Sequence, residues 1–99
     1  MSQHLLTIIT LPRMQDAMID WLLEQDNLSG FSTAEIYGHG ARHTGMSLLE
    51  QVTGRQKRTQ FTAHADEAVI NSVLEKLKLD FAGSGLHYMV TPLLEAGAL

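Results

Sequence analysis

Residues 5–10 (LLTIIT) are mostly apolar, rich in β-branched side chains and too few for a helix, which predicts a strand. Pro12 follows where a first helical turn tolerates the missing N–H. From there Met14, Ala17, Met18, Trp21 and Leu22 recur at helical spacing, with Asp16, Asp20 and Glu24 off the stripe. Residues 27–30 (NLSG) end that helix, and residues 31–37 (FSTAEIY) predict a second strand closed by Gly38. The plan then repeats. Residues 59–65 (TQFTAHA) predict a third strand, and Asp66 stands at the N-cap of a helix whose stripe is Val69, Ile70, Val73, Leu74 and Leu77. Residues 82–85 (AGSG) turn into a fourth strand at 86–91 (LHYMVT), beyond which Pro92 limits ladder pairing; residues 93–99 predict no element.

Two β-α-β units in a chain of 99 residues most simply build one ferredoxin-like α+β domain, residues 1–99. It is expected to hold a four-stranded antiparallel sheet in βαββαβ order, two helices on one face and a long loop between strands two and three. Both pleat faces of the first strand are apolar, with Leu6 and Ile8 on one side and Leu5 and Ile9 on the other. The fourth strand sets Leu86, Tyr88 and Val90 opposite Met89. Two helices cover only one face, and a solvated face of an antiparallel sheet is usually polar. The second face is therefore expected to meet another subunit, the alternative being a few tolerated surface apolars. A domain of this size buries only somewhat more than ~60% of its unfolded surface, which also favours association.

Composition narrows the chemistry. Seven Lys+Arg against eleven Asp+Glu give a net charge of −4, which argues against general nucleic-acid binding. The absence of Cys excludes disulfides, thiolate metal sites and a Cys nucleophile. The longest apolar stretch, residues 5–11, is far short of the roughly 20 residues of a membrane span. Residues 1–4 carry no basic n-region, so the expectation is a cytoplasmic protein without a signal peptide.

The connection at residues 39–58 (HGARHTGMSLLEQVTGRQKR) differs from the rest in charge. It carries Arg42, Arg55, Lys57 and Arg58 against Glu50 alone, while the remaining chain has three basic and ten acidic residues. A basic loop on an acidic body points to a negatively charged ligand or partner, and Arg55, Lys57 and Arg58 are its expected partner-binding positions. The alternative is that these three cations merely solvate the start of strand three. Ser47 and Glu50 fit a capping box for a short helical turn at 47–52, and Gly38, Gly40, Gly45 and Gly54 offer hinges where φ can be positive.

The plan β-α-β, long loop, β-α-β, with residues 36–42 (IYGHGAR) opening the loop, resembles the PII signalling proteins. Gly83-Ser84-Gly85 before the last strand, with Tyr88 and Pro92 beyond, is similar to that family's second glycine turn. The resemblance covers nearly the whole chain on short motifs, is nearest to the small divergent PII-like proteins, and extends more distantly to the cation-tolerance protein CutA. It implies a non-enzymatic regulator in signal transduction and nitrogen regulation. It further implies a homotrimer that binds a small anionic ligand, such as an adenine nucleotide, in clefts between subunits and controls a transporter or enzyme through its loop. On this basis Gly38, Gly40, Arg42, Gly83 and Gly85 are the expected cleft positions. Two features depart from the family pattern. Leu86 stands where the family places a phosphate-binding lysine, and residues 93–99 hold no arginine.

A second reading is a metal-binding or metal-sensing protein of heavy-metal homeostasis. His39 and His43 are spaced i, i+4, which brings two imidazoles onto one divalent metal if that stretch is helical, though Gly40 and Gly45 oppose a helix. His4 and His64 are expected at neighbouring strand ends. Met14, Met18 and Trp21 fall on the first helical stripe and are expected as core. Glu35 is expected either as a partly buried carboxylate or as a solvated group at a sheet edge. A third reading is a small ferredoxin-like enzyme. No GxSxG elbow, Walker loop, HExxH or paired glycine fingerprint supports it.

Overall fold

A computed structural model of the chain describes residues 2–39 and 55–99. Its elements run β1 (Gln3–Thr10), a 3-10 turn (Pro12–Met14), α1 (Gln15–Leu23), β2 (Ser32–His39), β3 (Arg55–Asp66), α2 (Glu67–Asp80) and β4 (His87–Leu93). The sheet order is β2-β3-β1-β4 with every neighbouring pair antiparallel, the ferredoxin-like α+β arrangement.

The core follows from the two helical stripes and one face of the sheet. Leu6, Ile8 and Phe61 from the strands meet Met18 and Leu22 from α1 and Ile70, Val73 and Leu77 from α2, all buried. Val69, Leu74, Leu86 and Val90 pack around this cluster. Trp21 is half-buried. Its ring meets Phe81 edge-on at 5.5 Å, and its indole N–H donates to Asp80 Oδ2 at 2.8 Å, tying the ends of the two helices together. Ala17 is exposed, so the first stripe is narrower than its spacing predicts.

Register assigns the two faces. Leu6, Ile8 and Thr10 share the helix face with Ala63, Phe61 and Thr59, whereas Leu5, Thr7 and Ile9 share the uncovered face with His64, Thr62 and Gln60. Met89 joins the uncovered face opposite Thr7 and is 51% exposed. The uncovered face is thus apolar at Leu5, Ile9 and Met89, but threonine and glutamine are interspersed among them. His4 and His64 are adjacent in register and lie on opposite faces, so they do not form a pair.

Several boundaries differ from the sequence pattern. Pro12–Met14 is a 3-10 turn rather than the first turn of α1, and α1 stops at Leu23. Asp66 is the N-cap residue of α2 but makes no side-chain cap; its Oδ1 accepts from Gln3 Nε2 instead. Strand β4 continues through Pro92, which pairs with His4. An edge strand accommodates this because one side of its backbone needs no ladder partner. Most important, β2 reaches His39 and β3 begins at Arg55. Arg55, Lys57 and Arg58 are therefore strand residues and not loop residues, and the connection shrinks to 40–54. Gly40, Arg42, His43 and the turn expected at 47–52 lie outside the described residues.

Gly38 is no hinge. It sits in extended β2 backbone without a positive φ, and a Cβ there would meet only the Gln56 carbonyl oxygen at 3.8 Å. Gly83 and Gly85 do need glycine, with φ of 79° and 82°. Their turn is closed by Ser84 N–H to the Phe81 carbonyl at 3.1 Å and Leu86 N–H to Ser84 Oγ at 3.3 Å.

Two stability outcomes follow. Phe61→Ala is expected to cost about 3–5 kcal/mol by urea unfolding at fixed protein concentration, and a loss below about 1 kcal/mol contradicts its place in the core. Gly85→Ala is expected to cost about 1–2 kcal/mol while Gly38→Ala costs less, and equal losses contradict the backbone assignment.

Candidate functional site

The β2–β3 ladder outruns its neighbours. β1 ends where Thr10 meets Thr59, and β4 begins where His87 meets Ile9. Beyond that level β2 and β3 continue alone through Ile36↔Arg58, Tyr37↔Lys57, Gly38↔Gln56 and His39↔Arg55. The projecting hairpin leaves a notch at the end of β1 and β4. A cleft of about 340 Å³ fills it, lined by Ile9, Thr10, Leu11, Gly38, Gln56, Arg58, Gly85, His87, Tyr88 and Met89.

This cleft joins both glycine segments of the sequence. Gly38 comes from the first and Gly85 from the second, although they lie almost fifty residues apart. Gly83 is on the helix side of its turn, in a smaller hollow with Leu77, Phe81, Leu86 and Tyr88, and Gly85 borders both. Leu86 packs against the hydrophobic core rather than lining the cleft.

Strand alternation separates the three cations expected to act together. Arg55 and Lys57 lie on the helix face of the hairpin, whereas Arg58 lies on the uncovered face with Gln56. Lys57 Nζ pairs with Glu35 Oε1 at 2.6 Å, both side chains more than half exposed. Glu35 is thus the solvated edge carboxylate of the two expectations. The Arg55 guanidinium stacks over the Tyr37 ring at 5.0 Å. Arg58 donates from Nη1 to the Lys57 carbonyl and from Nη2 to Gln56 Oε1, each at 2.7 Å. Arg58 is the one Lys or Arg among the described residues lining this cleft. In sequence Arg58 reads as a position of a partner-binding loop, and Gln56 carries no signal. Counting alternate residues back from the apolar Phe61 would have put both on the opposite face.

Thr10 also borders the cleft. It is 1% exposed, and its Oγ1 has no hydrogen-bond partner among the described residues. Its neighbour across the ladder, Thr59, donates from Oγ1 to Gln15 Oε1 at 3.0 Å.

Of the other hollows among the described residues, the smaller one at the glycine turn holds Lys78, which lies over the Tyr88 ring at 5.5 Å. A concavity of about 300 Å³ at the far end of the sheet is lined by Leu5, Phe31, Ser32, Thr62 and His64 among others, with no Lys or Arg among the described residues that line it. His39 is exposed at the tip of β2, and its expected partner His43 lies outside the described residues. Among the described residues no three His, Asp or Glu side chains are grouped to hold a metal ion. No helix of the described residues is long and apolar enough to cross a membrane.

Comparison with known proteins places this geometry in a family. The model of the family described as "Protein of unknown function (DUF3240)" matches residues 1–99. The crystal structure of a DUF3240 family protein from Shewanella baltica OS155 is 24% identical, with a TM-score of 0.78 over 100% of this chain and 98% of that one. CPII from Thiomonas intermedia K12, a nitrogen regulatory PII-like protein solved with ADP, AMP and bicarbonate, is 15% identical at a TM-score of 0.71, covering 100% and 98%. A putative PII-like signalling protein from Thermus thermophilus is 14% identical at 0.67, covering 93% and 87%. No protein of curated function matches. The structural overlap with these solved proteins carries the fold, and the family match carries membership: the chain belongs to the DUF3240 family and has the fold of the PII-like proteins.

Proposed function

We propose that this protein is a non-enzymatic PII-like regulator that binds a small anionic ligand at the notch between the projecting hairpin and the glycine turn. One observation carries the reading: Gly38, Gly85 and the cationic Arg58 border a single cleft. Backbone at the glycines approaches a ligand closely, Arg58 supplies charge, and Ile9, Leu11, Tyr88 and Met89 supply an apolar wall for a base or other flat group. The adenine nucleotides and bicarbonate bound by CPII set the ligand class to be tried first.

The cleft is also open on the uncovered face of the sheet, where Leu5, Ile9 and Met89 lie. A homotrimer that buries this face closes the notch with a neighbouring subunit and removes apolar surface from water. Coupling to a partner follows from the same geometry. The connection at 40–54 leaves from His39 and returns at Arg55, so both its ends adjoin residues that line the cleft. A ligand held beside these ends is proposed to set the protein's affinity for its partner, the differential affinity that a binding switch requires. The partner is a transporter or an enzyme of the cytoplasm, with signal transduction in nitrogen regulation as the setting.

The expected outcome is a trimer by light scattering. Calorimetry is expected to show binding of ADP, AMP or bicarbonate that weakens about tenfold or more in Arg58→Ala, as loss of one charge-assisted contact dictates. A monomer that binds none of the three at millimolar concentration contradicts the reading.

A further inference from the structure

Three cations stand at the hairpin, and their partners differ in kind. Lys57 faces a carboxylate, which offsets its charge. Arg55 lies over an aromatic ring on the face away from the cleft. Among the described residues Arg58 is held by neutral acceptors, a backbone carbonyl and the Gln56 side-chain oxygen. Its guanidinium is thus, among the described residues, oriented without being neutralised, and the planar group carries further N–H donors beside the two used in these bonds.

We infer that Gln56 is a positioning residue that holds the Arg58 guanidinium as a fork for one oxyanion at the notch. The inference rests on the cleft reading above and specifies which chemistry the cleft recognises. Residues 56 and 58 alternate by two on β3, so both side chains leave the same face. A free arginine loses considerable rotamer entropy on binding a ligand; one already bonded through Nη2 has met part of that cost during folding. A glutamine suits this role and a glutamate does not, because a carboxylate at 56 would satisfy the guanidinium itself. A single fork matches one planar carboxylate-type anion or one phosphate group. It does not match the charge of a triphosphate, and Leu86 adds no second cation. Carbonate-type and phosphate-type ligands share this oxyanion chemistry.

Two measurements test the inference, one of them without ligand. In ¹⁵N,¹³C-labelled protein, NMR of the Arg58 side chain is expected to show hindered rotation about Nε–Cζ that speeds up in Gln56→Ala. Rotation unchanged by that substitution overturns the clamp whatever the cleft binds. In the second, bicarbonate, inorganic phosphate and AMP are titrated separately at low salt into wild type, Gln56→Ala, Gln56→Glu, Arg58→Ala and the Gln56→Ala/Arg58→Ala double variant. Gln56→Ala is expected to weaken the bound probe by a few-fold to about tenfold, the worth of ordering one long side chain. Gln56→Glu weakens it further, and in the Arg58→Ala background Gln56→Ala adds no loss. Equal binding by wild type and Gln56→Ala, or additive losses, overturns the positioning role while leaving the cleft reading intact. Failure of all three probes to bind wild type overturns both the oxyanion fork and the cleft reading. Binding of bicarbonate alone identifies a carbonate-type ligand, whereas binding of phosphate and AMP identifies a phosphate-type one.

Discussion

Everything specific to this molecule depends on one mismatch in strand length. β3 is twelve residues long and β1 eight, so the β2–β3 ladder continues where β1 and β4 have stopped. Backbone pairing, the Lys57–Glu35 ion pair and the Arg55–Tyr37 stack hold this extension, in which none of residues 36–39 and 55–58 is itself buried. The ledge it creates sets the cleft at one end of the sheet. It also turns a run of basic residues into two sets facing opposite ways.

The body below the ledge is an ordinary two-layer domain. Its stability resides in Leu6, Ile8 and Phe61 against the two helices, and the cleft residues Ile9 and Tyr88 stand directly beside Ile8 on this packed base. The uncovered sheet face, with Leu5, Ile9 and Met89 among threonines and glutamines, is neither fully apolar nor fully polar. Interfaces between subunits commonly have that composition.

Much of the fold was legible because apolar periodicity reports burial. The alternation of Leu6, Ile8 against Leu5, Ile9 and the helical stripes ending at Leu22 and Leu77 mark the layers directly. The ends of β2 and β3 were not legible for the same reason. Gly38, His39 and residues 55–58 (RQKR) are polar or small, so nothing in their pattern marks a strand whose stability comes from pairing with a distant segment. The candidate site was half legible. Gly38 and Gly85 were found through a resemblance to a glycine-flanked family pattern, whereas Arg58 was assigned to a loop and Gln56 carried no signal as an isolated amide. Once β3 is known to begin at Arg55, their spacing of two puts both on one face. Gly40 and Arg42 were named with them and lie beyond the described end of β2.

The account's central claim is that an anion is recognised at the notch. Backbone amide NMR during an AMP or bicarbonate titration reads this most directly, because every described strand end carries reporters. The account predicts that shifts concentrate at Gly38, Gln56, Arg58, Gly85 and His87 and leave Ser32, Thr62 and His64 at the opposite end unmoved. Shifts centred on that opposite end, or none at saturating ligand, contradict it.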